Sequence, residues 1–555
     1  MFFRIIQIIK TFSRPEQLMF FAALFSALIS AIFLTVDFIG KKTAVVPMAG
    51  GDYREGVIGQ PIFVNPILAG ANDFDRDLVK IIFSDMLDLS ENYKVGANGK
   101  VFSVRLKDNI FWQDGKAIIS DDVVFTVKTI QDPDSRSPLY SAWQGIDVQR
   151  VSEREIKFTL PAPYSFFENI LRDLRPVPKH IFENVPVANY RLSGYNLEPI
   201  GSGPFKFVSF DKRRDGFITD YYLERSENYF GQTPYLNRLN FRFYSDKKDL
   251  IAAFNKGEID GVGGLSYDDL AEIKTNHKVF NVRSSKYYAL FFNANTPVLK
   301  EKNVRSALNL AVDKSKIIKN VFDGLAMEAG GPLMPQIDGY DPDVYKNSEF
   351  SISEAVQILE KNGWIAGDDG IRAKKISKED PLRLEFNLIV PDIPFLTKTA
   401  LIIREDWLKI GVKLNLIVKS SIEINEEIIR TRGYEMIIFG NVLGSNPDIF
   451  SFWHSSERFY PGLNLAMYHN KTVDELIEAA RQEINEEKKR RDLSSLQAAI
   501  IGNAPAVFLF SPNYFYVFKN WLNGFEEKYI PLPSDRFENI EKWYVKTTRI
   551  FKEAK

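Results

Sequence analysis

The chain has no cysteine and only four histidines. Without cysteine there are no disulfides, no thiolate metal ligands, no thiol nucleophile and no lipid-modified cysteine. The histidines are His180, His277, His454 and His469, and no two have metal-ligand spacing on a helix. No metal or cofactor is expected, although a site built from carboxylates alone stays open. Charge of either sign is not in excess: 71 Lys+Arg stand against 72 Asp+Glu. That balance gives no basic surface for a nucleic-acid partner. The G-x-S-x-G, G-x-x-x-x-G-K-[ST] and H-E-x-x-H patterns are all missing. The "GSG" at 201–203 runs into Pro204, which makes it a tight turn rather than a phosphate cradle. A carboxylate pair of glycosidase type stays open, because spacing in space is not written in the sequence. No repeat of 20–50 residues is visible.

What is present is a 555-residue chain, too long for one core and suited to two or three domains. One long apolar run occurs. Residues 18–36, "LMFFAALFSALISAIFLTV", carry only Ser26, Ser30 and Thr35 as polar groups. As a helix they span roughly 28 Å, about one bilayer core. Arg4, Lys10 and Arg14 precede the run, so residues 1–17 are expected in the cytoplasm and the large remainder outside it. A cleaved signal peptide is the rival, but Lys42 and Pro47 spoil the candidate cleavage sites at Ala44 and Ala49. An uncleaved membrane anchor is therefore expected. Residues 37–52, "DFIGKKTAVVPMAGGD", lack a period and read as a tether.

Beyond the tether, strand and helix patterns mix. "VFSVRLK" (101–107), "EIKFTL" (155–160), "LNFRF" (239–243) and "KLNLIV" (413–418) alternate apolar with polar residues, as half-buried strands do. "NVRSALNLAVDKSKIIKNVF" (303–322) places Val304, Leu308, Ala311 and Val312 on one helical stripe. "TVDELIEAARQEI" (472–484) does the same with Val473, Leu476, Ile477, Ala480 and Ile484, and "EEKKRRD" (486–492) reads as a solvated helix face. The order predicts an α/β fold of mixed α+β character.

"FWQDGKAIISDDVVFT" (111–126) gathers Asp114, Asp121 and Asp122 beside Trp112. Architecture explains it without catalysis. "QDG" is turn chemistry, Gly115 takes positive φ, and Ser120 is expected as the N-cap of a helix whose first turn holds Asp121 and Asp122. This W-x-D-G stretch with its D-V-x-F-T helix start resembles a signature of the extracytoplasmic solute-binding proteins of peptide- and nickel-type ABC importers. "PIGSGPFKF" (199–207), "LERSENYFGQTPYLNRLNFRF" (223–243), "FNKGEIDG" (254–261) and "VRSALNLAVDKSKII" (304–318) resemble further family motifs in the same order. The resemblance runs from about Tyr53 to about Trp543.

The resemblance implies a two-lobed periplasmic-binding-protein-like fold with an extra subdomain in lobe one. It implies lobe I over 53–292 with a subdomain at about 84–185, lobe II over 293–505, and a return to lobe I over 506–555. It implies a binding protein rather than an enzyme, closing over a solute and delivering it to a permease driven by an ATPase. The solute is expected to be an oligopeptide, with oligosaccharide and metal chelate as family alternatives, and the protein is expected to be a monomer. An extracytoplasmic hydrolase, or a tethered adhesion or chaperone-like module, is the competing class. Two departures stand out. Only "ENYKVGANGK" (91–100) precedes the W-x-D-G strand, so a strand of lobe one is expected to be missing or shortened. Peptide-binding relatives often carry an Asp about four residues before an Asp-Pro or Glu-Pro turn, to hold the peptide amine. Here Leu443 stands four before Pro447. Selection by an N-terminal amine is therefore not expected, unless Asp75 or Asp77 supplies the charge.

Candidate ligand-binding residues follow from the same alignment of motifs. Trp453 and His454 either line the cleft or are a core Trp beside a surface His, and Trp143 either lines the cleft or has a core or subdomain role. Asn441, Leu443 and Gly444 fall where the family's cleft-lining strand ends. Asp75 and Asp77 lie on the first helix of lobe one, where they either face the cleft or serve the helix dipole. Tyr288 and Asn293 lie at the expected crossing between lobes.

Overall fold

A computed structural model describes residues 12–70, 72–346, 350–375 and 380–552. Residues 1–11 of the expected cytoplasmic segment lie outside this set. The apolar run forms a helix, Arg14–Lys42, of 29 residues with none of its side chains buried in the protein. It is long and apolar enough to cross a membrane.

Two sheets organise the rest. The eight-stranded sheet runs in the order Tyr529–Ile530, His277–Ser284, Tyr514–Lys519, Gly261–Leu265, Asp52–Ile58, Arg238–Tyr244, Ile218–Arg225, Phe205–Lys212. The six-stranded sheet runs Ala326–Glu328, Ala506–Pro512, Lys286–Phe292, Met436–Val442, Glu385–Pro391, Lys413–Lys419. Both mix parallel and antiparallel pairs: Asp52–Ile58 is parallel to Arg238–Tyr244, while Lys286–Phe292 is antiparallel to both its neighbours. In the strand "KYYALFF" (286–292) alternate residues serve different cores. Tyr288, Leu290 and Phe292 enter one apolar cluster, and Tyr287, Ala289 and Phe291 the other. A period of two with both faces covered explains why this strand is apolar throughout.

The chain passes from the first sheet to the second at Ser285 and returns at Asn513, a single residue in each case. The boundaries expected at 292/293 and 505/506 are thus misplaced by one strand each, since Lys286–Phe292 and Ala506–Pro512 both pair inside the six-stranded sheet. An apolar run that continues across the crossing carries no mark of where one sheet ends.

A four-stranded sheet, Ser90–Val95, Val101–Leu106, Glu155–Thr159, Asp147–Ser152, falls within 84–185, and its core is continuous with that of the eight-stranded sheet. Where a strand is expected to be missing or shortened, a six-residue strand, Ser90–Val95, pairs with Val101–Leu106 at the edge of this sheet. The stripe over 303–322 is two helices, Lys302–Leu310 and Lys314–Phe322, because Asp313 caps the second by accepting from the Lys316 N–H at 2.9 Å. Nor is 37–52 an aperiodic tether. The helix continues to Lys42, and Thr43–Met48 then pairs in antiparallel register with Lys546–Phe551.

The opening motif is architectural, with one change. Gly115 takes φ +88° in the turn. The N-cap is Ile119 rather than Ser120, whose hydroxyl donates instead to the Ser152 carbonyl at 2.5 Å. Asp122 accepts from the Ile119 N–H at 3.0 Å, the Lys179 N–H at 2.9 Å and the Trp112 indole at 3.4 Å. One carboxylate therefore joins the turn, the helix start and the segment at Lys179 that follows the four-stranded sheet. Asp122→Asn, which removes one acceptor oxygen, is expected to cost about 0.5–2 kcal/mol of stability. Thermal unfolding checks this, and an unchanged melting temperature with lost ligand binding would reverse the assignment.

Candidate functional site

Between the two main sheets lies a cavity of ≈ 790 Å3, a size suited to a solute held between two walls. The first lobe supplies most of the wall. The helix Asp73–Ile82 presents Arg76, Val79 and Lys80; the end of the helix Phe167–Asp173 and the chain after it present Arg172, Asp173 and Arg175; and residues 527–538 complete that side. The second lobe contributes the turn Leu443, Gly444, Ser445, Asn446. The "PIGSGPF" loop sets the first helix in place. Ser202 and Gly203 donate backbone N–H bonds to the Ile82 carbonyl at 3.0 and 2.7 Å, and a Cβ at Gly201 or Gly203 would collide with it.

The wall is charged, and most of the charges are mutually satisfied. Lys80 pairs with Asp535 at 3.1 Å and with Glu538. Arg175 lies 3.7 Å from Asp85 and donates to the Phe83 carbonyl. Arg172 pairs with Glu168 at 2.8 Å, and Arg76 pairs with Asp73 and donates to the Gly70 carbonyl. Glu527 accepts from the Asn539 side chain at 2.7 Å, and burial raises its carboxyl above the usual range. Asp173 differs. Among the described residues it has no hydrogen-bond or ion-pair partner. Its side chain is exposed to the water of the cavity it lines, yet the surrounding protein desolvates it. That desolvation pushes its carboxyl up to about 6, with Arg175 and Lys80 opposing and Asp535 and Asp85 adding to the rise.

The lobes also touch away from the hinge. The Tyr164 hydroxyl of the subdomain donates to Asp448 at 2.7 Å, and Arg481 pairs with the same carboxylate at 3.1 Å. Ser165 donates its N–H to the Arg481 carbonyl at 2.7 Å and its hydroxyl to that of Ala480 at 2.8 Å. Tyr529 donates to the Gly444 carbonyl at 3.2 Å. The cavity is thus bridged on the subdomain side and beside the hinge.

Of the ten candidates from the sequence, Leu443 and Gly444 line the cavity, Gly444 at φ +63°. The other eight are placed elsewhere. Trp453 is fully buried against Phe291 and Phe508 in the second lobe, and Trp143 is buried against Phe158 and Phe167 in the subdomain. His454 stacks on Phe450 at 4.2 Å and bonds Ser456. Asn441 donates to the Tyr287 hydroxyl at 2.9 Å inside the sheet. Tyr288 packs on Phe395 and Phe510, and Asn293 donates to the Tyr434 carbonyl at 2.7 Å in a turn at the far end of its strand. Asp75 is buried and accepts from the Ile62 N–H at 2.7 Å, which orients the loop before its helix. An apolar or aromatic side chain marks a core as readily as a cleft, and only the packing separates the two. The charged wall went unnoticed because "RDLR" (172–175) and "PSDRFE" (533–538) carry no motif; only their density of opposed charge was readable.

Asp77 belongs to a buried network. Both its oxygens accept from Arg536, at 3.0 and 2.6 Å, and Arg536 Nε donates to Glu55 at 3.1 Å. The Tyr516 hydroxyl donates to Glu55 at 2.8 Å and lies 2.8 Å from the Tyr53 hydroxyl. Neither Asp75 nor Asp77 is therefore free to meet a ligand's cation. Two carboxylates share one guanidinium in a dry core. Burial pushes Glu55 up to about 7; Arg536 and Tyr516 oppose the rise and Asp77 adds to it. Asp77 is raised as well, chiefly by burial. Among the described residues no group of three or more metal-ligating side chains forms.

A family model described as bacterial extracellular solute-binding proteins, family 5, middle region, matches residues 86–459. The oligopeptide-binding protein AppA of Bacillus subtilis (strain 168) is 28% identical over 526 residues, 91% of this chain and 93% of that protein. A solved structure of AppA from Bacillus subtilis in complex with a nonapeptide matches with TM-score 0.71 and 26% identity, covering 90% of this chain and 99% of that one. NikZ from Campylobacter jejuni in complex with Ni(L-His) has TM-score 0.73 over 89% of this chain and 99% of that one, at 24% identity, and shares the fold.

The network makes stability depend on pH. A carboxyl whose folded pKa is raised contributes stability that is complete below its ordinary value of 4.5 and is lost as pH rises through about 7. The wild-type melting temperature is expected to fall between about pH 5 and about pH 8, and Glu55→Gln, which does not titrate, to reduce that fall. Equal slopes for both proteins would show that Glu55 does not carry the proton.

Proposed function

The chain belongs to the bacterial extracellular solute-binding proteins of family 5, and from that premise we propose that it captures oligopeptides between its lobes and hands them to an ABC permease powered by a cytoplasmic ATPase. Membership assigns solute binding rather than catalysis to the extracytoplasmic part of the chain. The single observation that carries the peptide reading is the ≈ 790 Å3 cavity walled by both lobes, in a chain similar over most of its length to an oligopeptide-binding protein.

Leu443 leaves the second lobe's wall without a charge, and Asp448 is occupied by Tyr164 and Arg481. The carboxylate left over is Asp173, from the opposite wall. A desolvated cation needs an anionic partner in such a site, so Asp173 is assigned to a positive group of the peptide. The helix Arg14–Lys42 acts as an uncleaved anchor. Supporting this, the stretch a signal peptidase would cut is already a strand, Thr43–Met48, paired with Lys546–Phe551. The protein works as a monomer at the membrane surface.

Two measurements test this reading. Full-length protein in mild detergent is mixed with a tryptic casein digest, and retained peptides are identified by mass spectrometry and titrated by calorimetry. Retention of peptides intact is expected. Because Asp173 protonates near pH 6, affinity should fall as pH drops through that value, and Asp173→Asn should weaken binding at neutral pH and flatten the profile. A flat wild-type profile would remove Asp173 from the contact, and hydrolysed peptides would restore the enzyme class. Intact-mass analysis of membrane-extracted protein should give the uncleaved chain; a mature form beginning between Asp37 and Asp52 would refute the anchor.

A further inference from the structure

Among the described residues, the ribbon formed by Thr43–Met48 and Lys546–Phe551 is a sheet of two strands with no third strand beside it. Such a ribbon is marginal in water unless one of its faces is covered. All of Lys546–Phe551 is exposed, with Phe551 at 70% and Ile550 at 51%, and Val45 on the other strand is at 55%. These apolar side chains gather at the end of the ribbon nearest the anchor helix. Phe551 pairs with Thr43, the residue directly after the helix, and the Lys552 N–H donates to the Lys42 carbonyl at 2.8 Å. Around them stand Lys41, Lys42, Arg549 and Lys552, all exposed, with Asp37 as a nearby acid already paired to Lys41.

Helix geometry sets the depth of this cluster. Phe38 and Ile39 are the last apolar residues of the helix and both are exposed. Thr43 lies four residues beyond Ile39 and seven beyond Val36, where the apolar run ends, so roughly 6–10 Å beyond the hydrocarbon edge at 1.5 Å per residue. The polar layer on each side of a bilayer is about 5–7 Å deep, given a core of about 30 Å within about 40–45 Å overall. Phe551, paired with Thr43, therefore falls within the headgroup layer or at its outer edge, where aromatic rings are favoured. Lysine and arginine beside it can reach lipid phosphates.

We propose that the helix-proximal end of this ribbon is a membrane-docking surface: Phe551 and Ile550 enter the interfacial layer of an anionic bilayer while Lys41, Lys42, Arg549 and Lys552 bind its phosphates. Continuity with the helix and the complementary charge select the bilayer as the occupant. The consequence is a stalk rather than a leash. With its lower end embedded and its upper end leading through Gly50 and Gly51 into the strand Asp52–Ile58, the ribbon holds the first lobe at a set height above the membrane. The inference rests on the anchor reading and adds a contact which that reading does not require.

The absence of native cysteine makes a clean test available. Phe551→Cys, Met48→Cys and Leu28→Cys are spin-labelled one at a time in the full chain, reconstituted in nanodiscs of phosphatidylglycerol and phosphatidylcholine. Accessibility to oxygen and to a water-soluble nickel chelate is then read by power saturation. Met48 lies five residues up the strand, about 17 Å above Thr43. The label at Met48 is expected to be at least about threefold more accessible to nickel than the label at Phe551, which should sit within the interfacial layer. Val45→Cys, on the partner strand, repeats the reading without touching Phe551 and should be protected relative to Met48. In nanodiscs of phosphatidylcholine alone the protection at Phe551 should shrink. Equal nickel access at Phe551, Val45 and Met48 while Leu28 stays protected would overturn the docking surface and leave the anchor standing. Nickel access at Leu28 would overturn both.

Discussion

Everything in this molecule that bears on binding depends on two strand pairs that each change sheets across a single residue. His277–Ser284 and Lys286–Phe292 meet at Ser285, and Ala506–Pro512 and Tyr514–Lys519 meet at Asn513. Ser285 is fully buried, and its hydroxyl donates to the Pro531 carbonyl at 2.9 Å; Ser511 donates to the Ser284 carbonyl at 3.2 Å. Because the strands pair with each other on both sides of the crossing, the lobes cannot slide apart. They can only rotate about the narrow waist, the geometry of hinge closure. The cavity sits beside that waist, and Leu443 at its edge donates its N–H back to the Ser285 carbonyl at 3.4 Å.

The first lobe turns this constraint into a rigid wall. Arg536 holds Asp77 on the cavity helix and Glu55 in the sheet, so the segment that carries Asp535 and Glu538 into the cavity is clamped from behind. Such a pair is expensive to bury and costly to break on one side only. Its position is better explained by alignment than by net stability: it fixes the helix bearing Lys80 against the segment bearing its partners Asp535 and Glu538. The second lobe offers the cavity only a short turn. A charged, braced wall faces a small neutral one, and Asp173 is the charge the brace leaves unspent.

The subdomain contacts give closure a second point of purchase. Tyr164 and Arg481 converge on Asp448 from opposite lobes, and burial together with that carboxylate raises the Tyr164 phenol well above its usual value, so it stays a donor across the physiological range.

By itself the sequence determined the fold class, the family, the membrane-length helix and the half-buried strands. These depend on local period, turn chemistry and motif order, which a one-dimensional pattern can carry: Phe102, Val104 and Leu106 alternate because one face of their strand is buried. It also pointed to a structural role for the acids of "WQDGKAIISDD", through the turn at Gly115 and a helix whose first turn holds Asp121 and Asp122. Only the tertiary structure decided which apolar and aromatic residues face a cleft. Trp143 and Trp453 look identical to cleft residues until their neighbours are known. It alone revealed that Thr43–Met48, within 37–52, is half of a ribbon, because its partner strand begins at Lys546. It alone distinguished Asp77, which is consumed by Arg536, from Asp173, which is not. Whether a charge is spent or available depends on partners hundreds of residues away, and no local pattern records them.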